Sequence, residues 1–329
     1  MSDVYIIAEL AQGFEGKPQQ AMALLEAAAA AGADAAKFQL VYAEELATAD
    51  YQHFALFRKL EMPDDAWRDL ARRAREAAIH LQLDVFGPRS LALAEALGAH
   101  AVKVHSTDMG NPGLLALIAR SRIGEVLLST GGCTADEIAR AHEVLEGKRL
   151  VLLHGFQGYP TPTAANQILR LHDYSTRYAN VRLGFADHAD PENPLSAILP
   201  AAALGAGASV IEKHLTLDRQ LKLEDYESAL DPAGFTAFVR SMRECGLALG
   251  APRGAMHESE VGYRSKTRKH VVASRDLPAG TVVGAADVAL KRSASPTFIQ
   301  ETAQVVGRRL VRAVKTDEAI GPDALAEAK

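Results

Sequence analysis

Two cysteines in 329 residues, Cys133 and Cys245, are too few for a disulfide framework and lack metal-ligand spacing, which points to a reducing compartment. There is no excess of positive charge. The formal net charge is −5, so a basic surface of the kind that binds nucleic acid is not indicated. Long apolar runs are missing as well: Leu195 to Val210 is among the most apolar stretches, but it carries Gly and Pro and is too short for a bilayer. No membrane span is therefore expected. Met1 to Asp3 lead directly into the apolar run Val4 to Leu10 without a basic region or cleavage site, so a cytoplasmic location is expected.

What the chain does have is a rhythm. Eight apolar runs, VYIIAEL, DAAKFQL, LQLDVFG, AVKVHS, EVLLST, RLVLLHG, VRLGFADH and SVIEKHLTL, each precede a segment with helical spacing. Strands alternating with helices imply parallel βαβ units, and eight of them predict an α/β fold of the (β/α)8 TIM-barrel type over residues 1–250. Residues 251–269 mix Gly, Pro and charge and read as a linker, and residues 270–329 alternate short β-like runs, a small β-rich domain. A long insertion from Tyr42 to Leu60 follows strand two, on the side where barrels place their binding loops.

The chemistry gathers where the strands end. His188 and His214 close strands seven and eight, and neighbouring strands lie about 5 Å apart, so two imidazoles converge and suit a divalent ion such as Mn²⁺. Lys37, Lys103 and Lys213 sit within apolar strands, where an unpaired ammonium is costly. Two readings are open. Together with Ser106, Ser129, Thr130 and the Gly131-Gly132 backbone they form a phosphate pocket, or they pair with Glu9 and Glu212 in internal salt bridges.

The residues resemble those of the sialic acid synthase family, which includes N-acetylneuraminate, legionaminate and pseudaminate synthases. The likeness runs nearly end to end, through Ala8-Glu9, Ala31-Gly32-Ala33-Asp34 with Lys37-Phe38-Gln39, Lys103 with Ser106, Leu128-Ser129-Thr130-Gly131, His154 with Tyr159-Pro160-Thr161-Pro162, Asp187-His188, and Ile211-Glu212-Lys213-His214. The tail with Lys291-Arg292 is similar to the antifreeze-like (SAF) domain of that family.

This resemblance implies condensation of phosphoenolpyruvate with the open-chain aldehyde of a sugar, giving a 3-deoxy-2-keto sugar acid and phosphate. It implies that His188 and His214 hold a divalent metal, Mn²⁺ ahead of Mg²⁺ or Co²⁺, and that Lys37, Lys103, Ser106 and Ser129 bind phosphate and carboxylate. Glu9 then assists proton movement or attack of water, while Gln39, Tyr159, Glu212 and Asp225 position substrate and the metal's water. It further implies a homodimer in which the SAF domain reaches the partner barrel and offers Arg292 to its sugar site.

The chain departs from the family pattern at Gly13-Phe14, Phe86-Gly87-Pro88, Gly155-Phe156-Gln157, Ala186, Leu223-Glu224-Asp225-Tyr226 and Ser293-Ala294, mostly by loss of hydroxyl and amide donors. His105, Arg89 or Gln157 are the candidates to compensate, and Phe14, Phe86, Phe156 and Tyr226 are expected to add apolar surface around the mouth. An acceptor other than N-acetylmannosamine is therefore expected. Two alternatives stand beside this reading: a non-catalytic sugar-acid or phosphate binder on the same scaffold, and a metal-dependent TIM-barrel hydrolase, disfavoured because strand one lacks paired histidines.

Overall fold

Residues of opposite phase along each of the first eight strands face different surroundings, and that alternation builds the first unit of the protein. The computed structural model describes residues 4–155, 158–250, 254–296 and 299–327. The strands β1 (Tyr5–Ala11), β2 (Ala35–Gln39), β3 (His80–Asp84), β4 (Ala101–Val104), β5 (Glu125–Ser129), β6 (Arg149–His154), β7 (Arg182–Asp187) and β8 (Val210–His214) follow one another around a closed parallel barrel. Closure comes from β1 pairing with β8, Tyr5 opposite Val210 through Glu9 opposite His214. The TIM barrel read from the sequence is thus the fold.

One phase of the strands supplies Ile7, Ala35, Ala101, Leu127, Val151, Leu153, Ala186 and Val210, which pack together inside the barrel. The other phase, with Ile6, Phe38, Val102, Leu128, Leu152, Phe185 and Ile211, packs outward against the helices. Those helices are α1 (Pro18–Ala30), α2 (Ala43–Leu46), α3 (Phe54–Leu60), α4 (Asp64–Glu76), α5 (Pro88–Leu97), α6 (Pro112–Arg120), α7 (Ala135–Val144), α8 (Arg170–Arg177), α9 (Ile198–Gly205) and α10 (Pro232–Leu249).

Local chemistry starts several of them. Pro18, Pro88, Pro112 and Pro232 stand in first turns, where the missing N–H is no loss. Thr134 and Glu137 form a reciprocal capping box at α7, and Asn111 and Asp231 cap α6 and α10 through their side chains. Helix α4 buries Trp67, Leu70, Ala71 and Ala74 on one stripe and turns its arginines outward. Trp67 meets Phe14 and Phe38 edge to face at 5.6 and 6.0 Å. Phe14 is fully buried in this outer layer, so the expectation that it lines the mouth is corrected.

The chain divides into two compact units, Met1–Ala251 and Pro252–Lys329. The segment read as a linker contains a helix, α11 (Glu258–Thr267), which opens on a capping box of His257 and Glu260 and buries none of its residues. In the second unit β9 (His270–Ala273) pairs antiparallel with β10 (Val288–Lys291). Val271, Leu277, Val283, Val305, Leu310, Val314 and Ile320 make its small separate core. Among the described residues no helix is long and apolar enough to cross a membrane.

Candidate functional site

The inward phase of the strands changes from apolar to charged toward their C-terminal ends. Register then places the charges beside one another: Glu9 lies opposite Lys37, and Asp84 opposite Lys103. Lys37 is fully buried and pairs with Glu9, with Asp84 at 3.0 Å and with Glu212 at 3.3 Å. Lys103 reaches Glu9 at 3.3 Å, Asp84 at 3.4 Å and Glu212 at 3.2 Å. Two ammonium groups therefore share three carboxylates, and the salt-bridge reading of these lysines is the arrangement present. Glu9 also accepts from the Ala11 N–H at 2.9 Å.

The cluster sorts its protons. Burial opposes ionisation of Glu9, but Lys37 and Lys103 outweigh it and hold that carboxyl well below its usual range. Burial likewise opposes charging of Lys103, and Asp84, Glu212 and Glu9 overcome it and push the ammonium well above its ordinary value. For Glu212 burial prevails over the two lysines, and repulsion from Glu9 and Asp84 adds to it, so its pKa rises. Glu212 thus holds a proton more readily than Glu9. Asp84 is the member to which the sequence reading assigned no role; its place follows from the inward phase it shares with Gln82 on β3, Gln82 standing opposite Lys37 and Asp84 opposite Gln39 and Lys103.

His214 ends β8 in the inward phase, and His188 follows β7 directly. Their ring centroids are 5.1 Å apart, and the Tyr159 ring stands edge-on to both, at 5.3 and 5.7 Å. Both imidazoles are held neutral. Burial and then His214 depress His188 far below its usual value, and burial brings His214 down to about 3. Among the described residues His188 Nδ1 is buried without a hydrogen-bond partner, a costly arrangement for a polar atom and one that suits a ligand nitrogen. Two neutral imidazoles with an unspent nitrogen fit a divalent ion. Among the described residues no group of three or more His, Cys, Asp or Glu side chains is placed to hold a metal ion.

Above the charges lies a cavity of about 570 Å³ whose lining includes Gln12, Gln39, Phe86, His105, Tyr159 and Asp225. Gln39 accepts a 2.7 Å hydrogen bond from Gln12 Nε2. Burial, then Glu9, Glu224 and Glu227, push the Asp225 carboxyl up to about 7, and burial with Asp225 raises Tyr159. The insertion after β2 adds Glu45, Leu46, Ala47, Thr48, Tyr51 and Phe57 to the wall. Glu45 pins it in place by accepting from the Arg89 and Ser90 N–H groups, at 2.5 and 3.1 Å, at the start of α5. A Cβ on Gly87 would stand 2.5 Å from the Glu45 carboxyl, which is why glycine fits there.

The other expected residues divide between this site and different surroundings. Ser129 is buried in the inward phase of β5, and Ser106 is half-buried at the turn after β4, where its carbonyl accepts from Cys133 Sγ at 3.6 Å. Lys213 has the outward phase: it pairs with Asp187 at 2.9 Å and donates to the Ala189 carbonyl at 3.0 Å, which removes it from any phosphate pocket in the barrel. Arg89 does not compensate for lost donors, because its guanidinium lies over the Tyr42 ring at 3.7 Å and beside Asp64 at 3.6 Å. Phe86 and His105 do reach the cavity. Gln157 and Phe156 lie outside the described residues. Arg292 is exposed, directly after β10 of the second unit.

Comparison with known proteins gives this architecture a context. A family model described as the NeuB family matches residues 24–253, and one described as the SAF domain matches residues 268–326. The chain is 29% identical over 329 residues to N,N'-diacetyllegionaminic acid synthase of Legionella pneumophila, covering 93% of this chain and 90% of the relative. It is 25% identical over 333 residues to N-acetylneuraminate-9-phosphate synthase of Homo sapiens, covering 96% and 91%. Among solved structures, the N-acetylneuraminic acid synthetase of Leptospira borgpetersenii in complex with citrate is similar, with a TM-score of 0.73, 27% identity, and coverage of 80% of this chain and 92% of that one.

Proposed function

The chain belongs to the NeuB family, and from that premise we propose that it joins phosphoenolpyruvate to the open-chain aldehyde of a sugar, yielding a 3-deoxy-2-keto sugar acid and inorganic phosphate. The observation that carries the proposal is the position of Tyr159, which touches both imidazoles and also lines the cavity that Gln39 and Asp225 face. Lining of mixed polarity, with Tyr51, Phe57 and Phe86 beside Gln12, Gln39 and Thr48, suits a sugar that carries apolar substituents.

In this reading Lys37, Lys103, Ser106 and Ser129 bind the phosphate and carboxylate of phosphoenolpyruvate, the lysines turning from their carboxylates toward the incoming anion. The enol C3 attacks the aldehyde carbon, leaving positive charge at C2. Water adds there, and Glu9, ionised in the resting site and released as the lysines turn to the substrate anion, takes its proton. Cleavage of the C2–O bond then releases phosphate and leaves the ketone. Glu212, the carboxyl with a raised pKa, supplies the proton the new alkoxide needs. A divalent ion held by His188 and His214, with Mn²⁺ the first candidate, would supply Lewis-acid polarisation of the aldehyde oxygen. Gln39, Tyr159 and Asp225 orient the acceptor, which the cavity they line would hold. We place the enzyme in the cytoplasm as a homodimer in which Arg292 serves the partner's sugar site.

A test is phosphoenolpyruvate labelled with ¹⁸O in its C–O–P bridge: the label appears in the released phosphate if the C–O bond breaks. Label retained in the organic product contradicts this chemistry. The second reading, a binder of sugar acids without turnover, draws on the pairing of Lys37 and Lys103 with internal carboxylates. Saturable binding of a keto sugar acid, with no phosphate release from any acceptor, would favour it.

A further inference from the structure

A second cavity, of about 320 Å³, lies on the other side of the strand ends and shares no lining residue with the first. Along β6, Val151 and Leu153 face the barrel interior while Leu150 and Leu152 face the helices, so His154 continues the outward phase. Its ring meets Tyr174 of α8 at 5.9 Å and Phe185 of β7 at 6.4 Å. His154 Nε2 lies 2.8 Å from the Asn166 carbonyl, which can only accept, so Nε2 carries the proton. That leaves Nδ1 as a bare acceptor. It is buried, in a residue 3% exposed, and has no hydrogen-bond partner among the described residues.

The rest of the lining is of the opposite character. Gly131, Gly132, Gly155, Gln167 and Arg170 join His154 around the cavity, and among the described residues no acidic side chain lines it. Unlike Arg149 and Arg182, which meet Glu125, the Arg170 guanidinium forms no ion pair among the described residues. The amides of Gly131 and Gly132 make no backbone hydrogen bond among the described residues, and Gly132, at φ +77°, turns in the left-handed region that glycine adopts freely. Successive free amides in such a turn cradle anionic oxygens.

We propose that this cavity binds an anion that carries its own O–H, such as hydrogen phosphate or a sugar phosphate: Arg170 and the Gly131 and Gly132 amides take the charged oxygens, and His154 Nδ1 accepts from the O–H. Sulfate at neutral pH matches the charge but lacks the proton. The site therefore prefers hydrogen phosphate to sulfate. Arg170 is exposed and makes no ion pair, so Arg170→Gln folds as the natural chain does.

The test is calorimetric titration of the full chain, and of Arg170→Gln and His154→Phe, with inorganic phosphate, sulfate and glucose 6-phosphate, together with phosphate-soaked crystals. Arg170→Gln weakens phosphate at this site by roughly tenfold or more, the loss of about one charged hydrogen bond. His154→Phe erases the preference for phosphate over sulfate. Tighter binding of glucose 6-phosphate than of inorganic phosphate identifies a phosphorylated sugar as the occupant, and the reverse identifies free phosphate. Phosphate density confined to the barrel mouth overturns the proposal. So does density beside Arg170 with calorimetric binding unchanged in Arg170→Gln, which marks an adventitious ion only.

Discussion

Lys103 on β4 and Glu212 on β8 meet across the barrel interior at 3.2 Å, although 109 residues separate them in the chain. Both side chains are almost fully buried, so each compensates a charge that would otherwise be costly inside the fold. The pair links opposite sides of the sheet. Stability and chemistry are joined there.

Removing one partner strands the other. Lys103→Met lowers unfolding stability by about 3–5 kcal/mol, the cost of leaving buried charge uncompensated. Lys103→Met with Glu212→Gln costs less than the sum of the two single changes, as groups in contact do. Denaturant melts of the four proteins measure this coupling, and strict additivity would count against the pairing.

The position of Phe14 separates core from mouth. Phe14→Ala removes a buried ring from the Phe38 and Trp67 cluster and lowers stability by about 3–5 kcal/mol, while KM for the acceptor stays unchanged. Phe86→Leu, in the cavity wall, raises KM with little loss of stability. A large KM change in a mildly destabilising replacement such as Phe14→Leu would return that ring to the mouth.

Asp225 makes stability depend on pH. Its carboxyl is raised from 3.8 to about 7 by burial and nearby carboxylates, so between those values the folded protein holds a proton that the unfolded chain has lost. Stability consequently falls as pH rises through this window, and the loss is complete above the folded value. Urea midpoints at about pH 5 and about pH 8 measure the decline, which Asp225→Asn reduces. An undiminished decline in Asp225→Asn assigns the effect to another group.

Metal binding is expected to need both imidazoles. The natural chain is expected to bind one Mn²⁺ equivalent, read from the resonance of free Mn²⁺ in solution, and His188→Ala and His214→Ala are each expected to abolish it. Full Mn²⁺ binding in either variant would move the metal away from this pair.

The barrel was legible because strand and helix periodicities differ and because Gly and Pro punctuate the chain at helix ends, as at Pro18 and Gly32. The histidine pair was legible too, since both residues end neighbouring strands. Facing direction was harder. Lys103 and Lys213 both stand in apolar runs, yet one points inward and the other toward Asp187, because phase depends on register with adjoining strands rather than on residue type. Asp84 was visible at a strand end but received no role for the same reason, and Phe14 was misplaced because a loop residue's burial depends on a partner, Trp67, fifty-three positions away. The helix α11 carries almost no apolar periodicity, so nothing in the sequence marked it apart from the His257 to Glu260 cap.

The most direct measurement is phosphate release from phosphoenolpyruvate with Mn²⁺ across a panel of aldoses, amino sugars and their phosphates, for the natural chain and His214→Ala. The synthase account predicts release that requires both an acceptor and His214. Absence of release with every acceptor, in protein that demonstrably binds Mn²⁺ and phosphoenolpyruvate, would contradict it.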